Sequence, residues 1–285
     1  MRHVQDEDGG DGTAGGTAGG TAPAGGRAAR GDVVPGNAQR VDRAAPAGRA
    51  APVPIDLAAP AGLHEHLPHP ATRPGLGALV AVLLSFAAAA GLYASFVGSG
   101  PALADGALLQ DSLEIRSGGL TGLAVVVTNV GNTTSMAVLA VAVGAWCWFA
   151  GRRADAVLAV GAMAGGAALF RTLKEVLDRP RPPAALRLVE ATNESLPSGH
   201  ATMSIVVIGT VVVLAWARHA ATTRAALVSV AVVWVGAVGA TRIYLGVHWF
   251  SDVVAGWLVG AAWLALCVAL WSWWRTRHPE PALVE

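Results

Sequence analysis

Residues 241–270 read TRIYLGVHWFSDVVAGWLVGAAWLALCVAL. The first part carries an arginine, a histidine and an aspartate, and everything after Asp252 is uncharged. The uncharged run continues to residue 274. Its apolar span, read as 253–272, falls within the roughly 17–25 apolar residues that one helix needs to cross a bilayer. Hydrocarbon offers no water to backbone N–H and C=O groups, so a run of this kind is a helix. The stretch thus predicts a membrane helix with ionisable groups at its mouth.

Five further apolar runs resemble it in length, at 76–97, 134–150, 155–173, 200–217 and 225–241. Hydrophobic residues make up 53% of the chain and charged residues 14%, against about 25% charged in soluble domains. The alanine, glycine and valine content of the runs suits close helix packing. The expected fold is all-α, a polytopic membrane helical bundle of about six transmembrane helices with a disordered N-terminal tail. The apolar stretch 120–130 is too short to span and is expected to lie in the interface or dip into it. Residues 99–116 mix polar and apolar side chains and suit a short surface helix. Cys147 and Cys267 both sit inside apolar runs and are too few and too far apart for a disulfide framework or zinc site. A net charge of +1 supplies no basic field for nucleic acid.

Three segments follow from this pattern: a tail over 1–72, a transmembrane domain over 73–275 and a short tail over 276–285. The first tail contains the repeat GGTAGGTAGGTA and Ala/Pro/Gly/Arg-rich sequence, which cannot bury enough apolar surface to offset its ordering entropy. It has no apolar signal-peptide core, so the first apolar run is expected to direct its own insertion. His64, Glu65, His66 and His69 lie in this tail among prolines, with no fourth metal ligand evident, and are read as solvated. Arginines in the tail, Arg152 and Arg153, Arg218 and Arg224, and Arg275 and Arg277 would all fall on one side of a six-span bundle. The positive-inside rule makes that side cytoplasmic, with both termini. Trp146, Trp148, Trp216, Trp271, Trp273 and Trp274 fall at the same helix ends, as an interfacial aromatic belt would.

The opposite loops break the charge bias. They hold KEVLDRPRP at 174–182, PSGH at 197–200 and RIYLGVHWFSD at 242–252. Charge near a membrane is costly, and its concentration at one set of helix ends suggests a shared ligand. Lys174, Arg181 and Arg242 supply three cations, and the arginine fork matches phosphate oxygens. Ser198 offers a hydroxyl, Gly199 permits close backbone approach, and both open a helix whose N-terminus suits an anion. His248 and Asp252 are four residues apart, one helical turn if the helix starts that early. The carboxylate can then fix one imidazole nitrogen and leave the other free to attack, while His200 serves as acid and base. Taken singly, these residues suit interfacial arginines, an N-cap serine or a solvated acid. Their convergence does not. Asp178, Arg179 and Glu194 are read as loop charges with a possible role at a substrate headgroup.

These clusters resemble the signature of the type 2 phosphatidic acid phosphatases, the lipid-phosphate branch of the superfamily that includes vanadium haloperoxidases. The signature runs K-x6-R-P, P-S-G-H and S-R-x5-H-x3-D. Lys174, Arg181 and Pro182 fit the first part, residues 197–200 the second, and Arg242, His248 and Asp252 the third. Thr241 replaces the serine and keeps its hydroxyl. The match covers about 134–272. The resemblance implies a phosphohistidine on His248, oriented by Asp252. His200 would serve the leaving group and then water. Lys174, Arg181, Ser198, Gly199 and Arg242 would bind the phosphoryl oxygens. It implies no cofactor and no metal. Phosphatidic acid, phosphatidylglycerol phosphate and undecaprenyl diphosphate all fit as substrates. Phosphotransfer to another alcohol, or non-catalytic binding or transport of a phospholipid in the same cationic pocket, remain as alternatives.

Overall fold

The computed structural model describes residues 74–278. The tail expected over 1–72, with its histidine cluster, lies outside the described residues. Eight α-helices make up the described part, and no strand occurs in it: α1 (Pro74–Phe96), α2 (Asp105–Glu114), α3 (Gly118–Val130), α4 (Thr133–Phe149), α5 (Arg153–Leu177), α6 (Gly199–Trp216), α7 (Ala221–Tyr244) and α8 (Phe250–Arg277). A 3-10 turn, Gly100–Ala104, leads into α2.

Five of these helices, α1, α5, α6, α7 and α8, are long and apolar enough to cross a membrane singly. The sixth span differs from the expectation. α4 has only 17 residues, and it meets the length of a span only together with α3, from which it bends by 44°. The bend falls at Gly131 and Asn132. The Asn132 carboxamide caps α4 by accepting the Ser135 N–H at 2.7 Å, and Ser135 Oγ–H donates to the Asn129 carbonyl at 2.8 Å. Side-chain oxygens thus satisfy helix-end groups in the middle of an otherwise apolar span. Stretch 120–130 is the α3 limb of this bent pair. The surface helix expected within 99–116 is α2. α8 continues to Arg277, two residues past the expected end of the transmembrane domain.

The burial pattern is inverted relative to a soluble protein. Phe86 on α1 and Val233 on α7 are 73% and 71% exposed, whereas Asp252 is fully buried. The exposed apolar side chains face where lipid belongs, and polar groups collect inside.

α8 is the central helix, packed against α1, α6 and α5. Its contact with α6 depends on Gly256 and Gly260. A Cβ at Gly256 would lie 2.7 Å from the Ser198 carbonyl, and one at Gly260 would lie 2.7 Å from the Thr202 carbonyl. Small residues four apart let two backbones approach where lipid supplies no hydrophobic drive. Here that approach brings the start of α6 beside the start of α8, and so sets the floor of the site.

At the other end of the bundle, arginines sit over tryptophans: Arg153 over Trp148 at 5.5 Å, Arg224 over Trp216 at 5.4 Å, Arg275 over Trp271 at 4.9 Å and Arg277 over Trp273 at 4.4 Å. Buried Asp155 joins this girdle through Arg152 at 2.5 Å and Trp271 Nε1–H at 3.0 Å. Among the described residues, the arginines and tryptophans of this girdle share one end of the bundle.

Gly260→Leu is expected to lower the thermal unfolding midpoint in detergent, by overpacking worth about 1–3 kcal/mol. Gly236→Leu, where an added Cβ meets nothing within 4 Å, is expected to leave the midpoint unchanged.

Candidate active site

Four helix ends build the site. α5 stops at Asp178, whose φ of 41° is left-handed, a conformation that aspartate tolerates better than most residues. The chain then turns back as Arg-Pro-Arg-Pro-Pro, residues 179–183. Prolines cannot extend the helix, so this segment crosses the end of the bundle. α6 begins at its N-cap Ser198, α7 ends just beyond Arg242, and α8 begins at Phe250. Between α7 and α8, Gly246 has φ +69°, and a Cβ there would lie 2.4 Å from the Leu186 carbonyl. The 186–188 segment is held there by Leu188 N–H donating to Leu245 O at 2.9 Å.

His248 is buried between two kinds of partner. Its Nδ1 lies 3.4 Å from Asp252 Oδ2 and 3.4 Å from Ser195 Oγ. Its Nε2 lies 3.1 Å from Arg181 Nη1. A guanidinium can only donate and a carboxylate can only accept. The pattern therefore assigns the proton to Nδ1 and the lone pair to Nε2. Burial pushes the imidazole well below its ordinary pKa, and Arg181, Arg242, Lys174 and His200 push the same way. Both effects favour the neutral ring, the form in which Nε2 carries a free lone pair.

Asp252 is held from several sides. Oδ1 accepts from Arg179 at 2.5 Å; Oδ2 accepts the Trp249 N–H at 2.9 Å and the Ser195 hydroxyl. The four-residue spacing from His248 is not a helical turn, as had been expected. His248 precedes the N-cap Trp249, and Asp252 is the third residue of α8, reaching back over the helix start. The capping geometry delivers the same contact.

Lys174 comes from the last turn of α5, Arg181 from the turn after it, and Arg242 from the last turn of α7. Lys174, 4% exposed, donates to the Glu194 carbonyl and to Ser195 O at 3.2 Å. Arg181 donates to Asn193 O at 2.5 Å, to Asn193 Oδ1 at 2.6 Å and to the Val247 carbonyl. Burial lowers its pKa to about 10, with Asp252 opposing and Arg187 adding to the shift, so it stays charged at neutral pH. Arg242 Nη1 donates to Thr128 Oγ1 at 2.6 Å, while its buried Nε has no hydrogen-bond partner among the described residues. A buried cationic donor of this kind suits an anionic ligand. His200, at the start of α6, is set beside the backbone of Thr128.

Ser198 N–H donates to the Asp252 carbonyl at 3.0 Å, tying α6 to α8, and Ser198 Oγ accepts from Ala201 N–H at 3.5 Å. At Gly199 a Cβ would lie 2.8 Å from the Phe170 ring. Thr241 Oγ1–H donates to Val238 O at 2.6 Å, on its own helix, so the exchange of serine for threonine spends its hydroxyl away from the site. No group of three or more His, Cys, Asp or Glu side chains among the described residues is arranged to hold a metal ion.

Several contributors were not foreseen. Arg179 is not a loop charge; it points inward and bridges Asp252 and Asp105. Ser195, Asn193 and Thr128 touch the reactive cluster, and Asp105 reaches it from α2. Ser195 stands two residues before Pro197, near enough to the second motif to have been suspected. Asp105 and Thr128 lie far away in sequence, in segments with no polar pattern of their own.

Residues 155–277 match the family model described as PAP2 superfamily. Phosphatidylglycerophosphatase B of Bacillus subtilis (strain 168) is 29% identical over 160 residues, covering 55% of this chain and 78% of the relative. The crystal structure of a transmembrane PAP2-type phosphatidylglycerolphosphate phosphatase from Bacillus subtilis superposes with a TM-score of 0.60 at 26% identity, covering 66% of this chain and 94% of the other. The helical bundle, the three clusters and these likenesses agree: residues 155–277 of this membrane chain match a PAP2 superfamily domain.

Proposed function

We propose that this chain hydrolyses the phosphate of a membrane lipid through a phosphohistidine at His248. The observation that carries the reading is the orientation of that imidazole: buried and neutral, Nδ1 held by Asp252 and Nε2 turned to the cations. Nε2 attacks phosphorus and the bond to the leaving oxygen breaks, with a proton from His200 neutralising the alkoxide. The positive charge that develops on the ring is opposed by Asp252. Water then attacks the phosphohistidine, His200 takes its proton, and phosphate leaves. Lys174, Arg181, Arg242, the Ser198 hydroxyl and the Gly199 N–H hold the phosphoryl oxygens and offset their growing charge. Three cations are enough for this, so the proposed reaction uses no metal.

A lipid substrate is supported by the surroundings of Arg242. A groove of about 400 Å³ between α2, α3 and α7 is lined by Leu120, Leu123, Val127, Ala240, Thr241 and Ile243, the last two being the chain neighbours of Arg242. Both relatives are named for phosphatidylglycerol phosphate, which makes it the preferred substrate over phosphatidic acid and undecaprenyl diphosphate. The arginine–tryptophan girdle at the far end supports a site facing the extracytoplasmic side, with both termini cytoplasmic.

Phosphate release from a panel of these three lipids tests the assignment. His248→Ala is expected to abolish turnover, by about 1,000-fold or more, and His200→Ala to lower it about 100- to 10,000-fold. Chelator is expected to leave activity unchanged. Phosphate release that survives His248→Ala would overturn the phosphohistidine, and no release from the wild type would point to binding or transport instead.

The pH profile gives a second test. A protonated His248 cannot attack, and its depressed pKa keeps it neutral below the ordinary value of about 6.5. The acid limb of kcat/KM is therefore expected below that pH in the wild type. Arg181→Met removes one of the cations that oppose protonation, so the limb is expected to move to higher pH. A limb that stays in place would show that Arg181 does not face the reacting imidazole.

A further inference from the structure

Asp105 and Arg179 form a buried pair that the proposed reaction leaves without a task. Asp105 opens α2, outside residues 155–277, and is 6% exposed. Arg179 falls among the unspecified positions of the first motif.

Their contacts are continuous with the reacting histidine. Asp105 Oδ1 accepts the Ser251 N–H at 2.8 Å, and Oδ2 accepts the Ser251 hydroxyl at 2.7 Å and Arg179 Nη2 at 2.8 Å. Arg179 Nη1 donates to Ser251 Oγ at 2.8 Å and to Asp252 Oδ1 at 2.5 Å. Asp252 Oδ2 then faces His248 Nδ1 at 3.4 Å. Each oxygen of Asp252 has its own duty, one toward Arg179 and the other toward the imidazole.

Charge explains why a second carboxylate is there. Asp252 and Arg179 alone would be a neutral pair. A guanidinium with a free arm could also close on both Asp252 oxygens, as arginine forks do, and draw the carboxylate off the histidine. Asp105 occupies that second arm. Two carboxylates around one guanidinium leave a net negative charge beside the ring, where a positive charge develops when Nε2 takes the phosphoryl group.

We propose that Asp105 is a positioning residue: through Arg179 it fixes Asp252 and preserves its negative charge toward His248. This rests on the hydrolase reading above.

The test uses the purified full-length chain in detergent and phosphatidylglycerol phosphate as substrate. Asp105→Asn is expected to lower kcat about 10- to 100-fold, the scale usual for partners of a reacting group's support, with KM within about twofold. Asp105→Glu, which keeps the charge, is expected to recover part of that loss. The double variant Asp105→Asn/Arg179→Gln is expected to be no slower than Arg179→Gln alone, because the two residues act in one relay. Independent, multiplying effects would overturn the proposal. So would an Asp105→Asn protein with a lowered thermal midpoint but wild-type kcat per folded molecule, the mark of a structural tether. If Asp105→Asn does not fold, Arg179→Lys decides: a lysine cannot bridge both carboxylates with a planar fork, and wild-type kcat in that variant overturns the relay. His248→Ala is measured alongside. Activity in it overturns the phosphohistidine reading itself, whereas loss in it beside wild-type kcat in Asp105→Asn overturns the relay alone.

Discussion

A carboxylate removed from water at the end of an apolar bundle costs several kcal/mol unless it is surrounded by donors. Asp252 is such a group, and the surrounding structure is arranged to satisfy it. Arg179 arrives from the turn after α5, the Ser195 hydroxyl from the loop before α6, and the Trp249 N–H from its own helix start. The backbone carbonyl of the same residue accepts from Ser198 at the α6 N-cap. Four donors from three chain segments therefore meet at one residue, and His248 is oriented by what remains of its bonding capacity.

The bundle makes this convergence possible by bringing helix ends together. Gly256 and Gly260 let α8 and α6 pack backbone to backbone, which sets Ser198 beside Asp252. The prolines of 179–183 send the chain across the bundle end, where Arg181 meets the Nε2 side of His248. Cations and carboxylates partly neutralise one another, so a concentration of charge is sustained where isolated charges would be expelled. The same economy operates at the far end, where Asp155 is buried against Arg152 and Trp271.

Much of this was legible in the sequence, for physical reasons. Spanning helices announce themselves by uncharged runs of fixed length, and all five long spans were found within a few residues. The charged clusters stood out because the loops that carry them run against the charge bias of the rest. The broken span was harder. Its limbs are short, and the Asn132 cap that joins them is an ordinary polar residue until its partner Ser135 is seen. Asp105 could not be foreseen at all, since its meaning comes from a contact with Ser251 far along the chain. Arg179 was misjudged because adjacent arginines look alike in sequence, while the turn after Asp178 points Arg179 toward Asp252 and Arg181 toward Asn193 and His248.

The central claim is that phosphorus is transferred twice, first to His248 and then to water. Each in-line displacement inverts configuration at phosphorus. A lipid phosphorothioate made chiral by sulfur and two oxygen isotopes, turned over in water labelled with the third isotope, reports the sum. The account predicts net retention of configuration in the released thiophosphate. Net inversion would mean a single direct attack by water, and would contradict it.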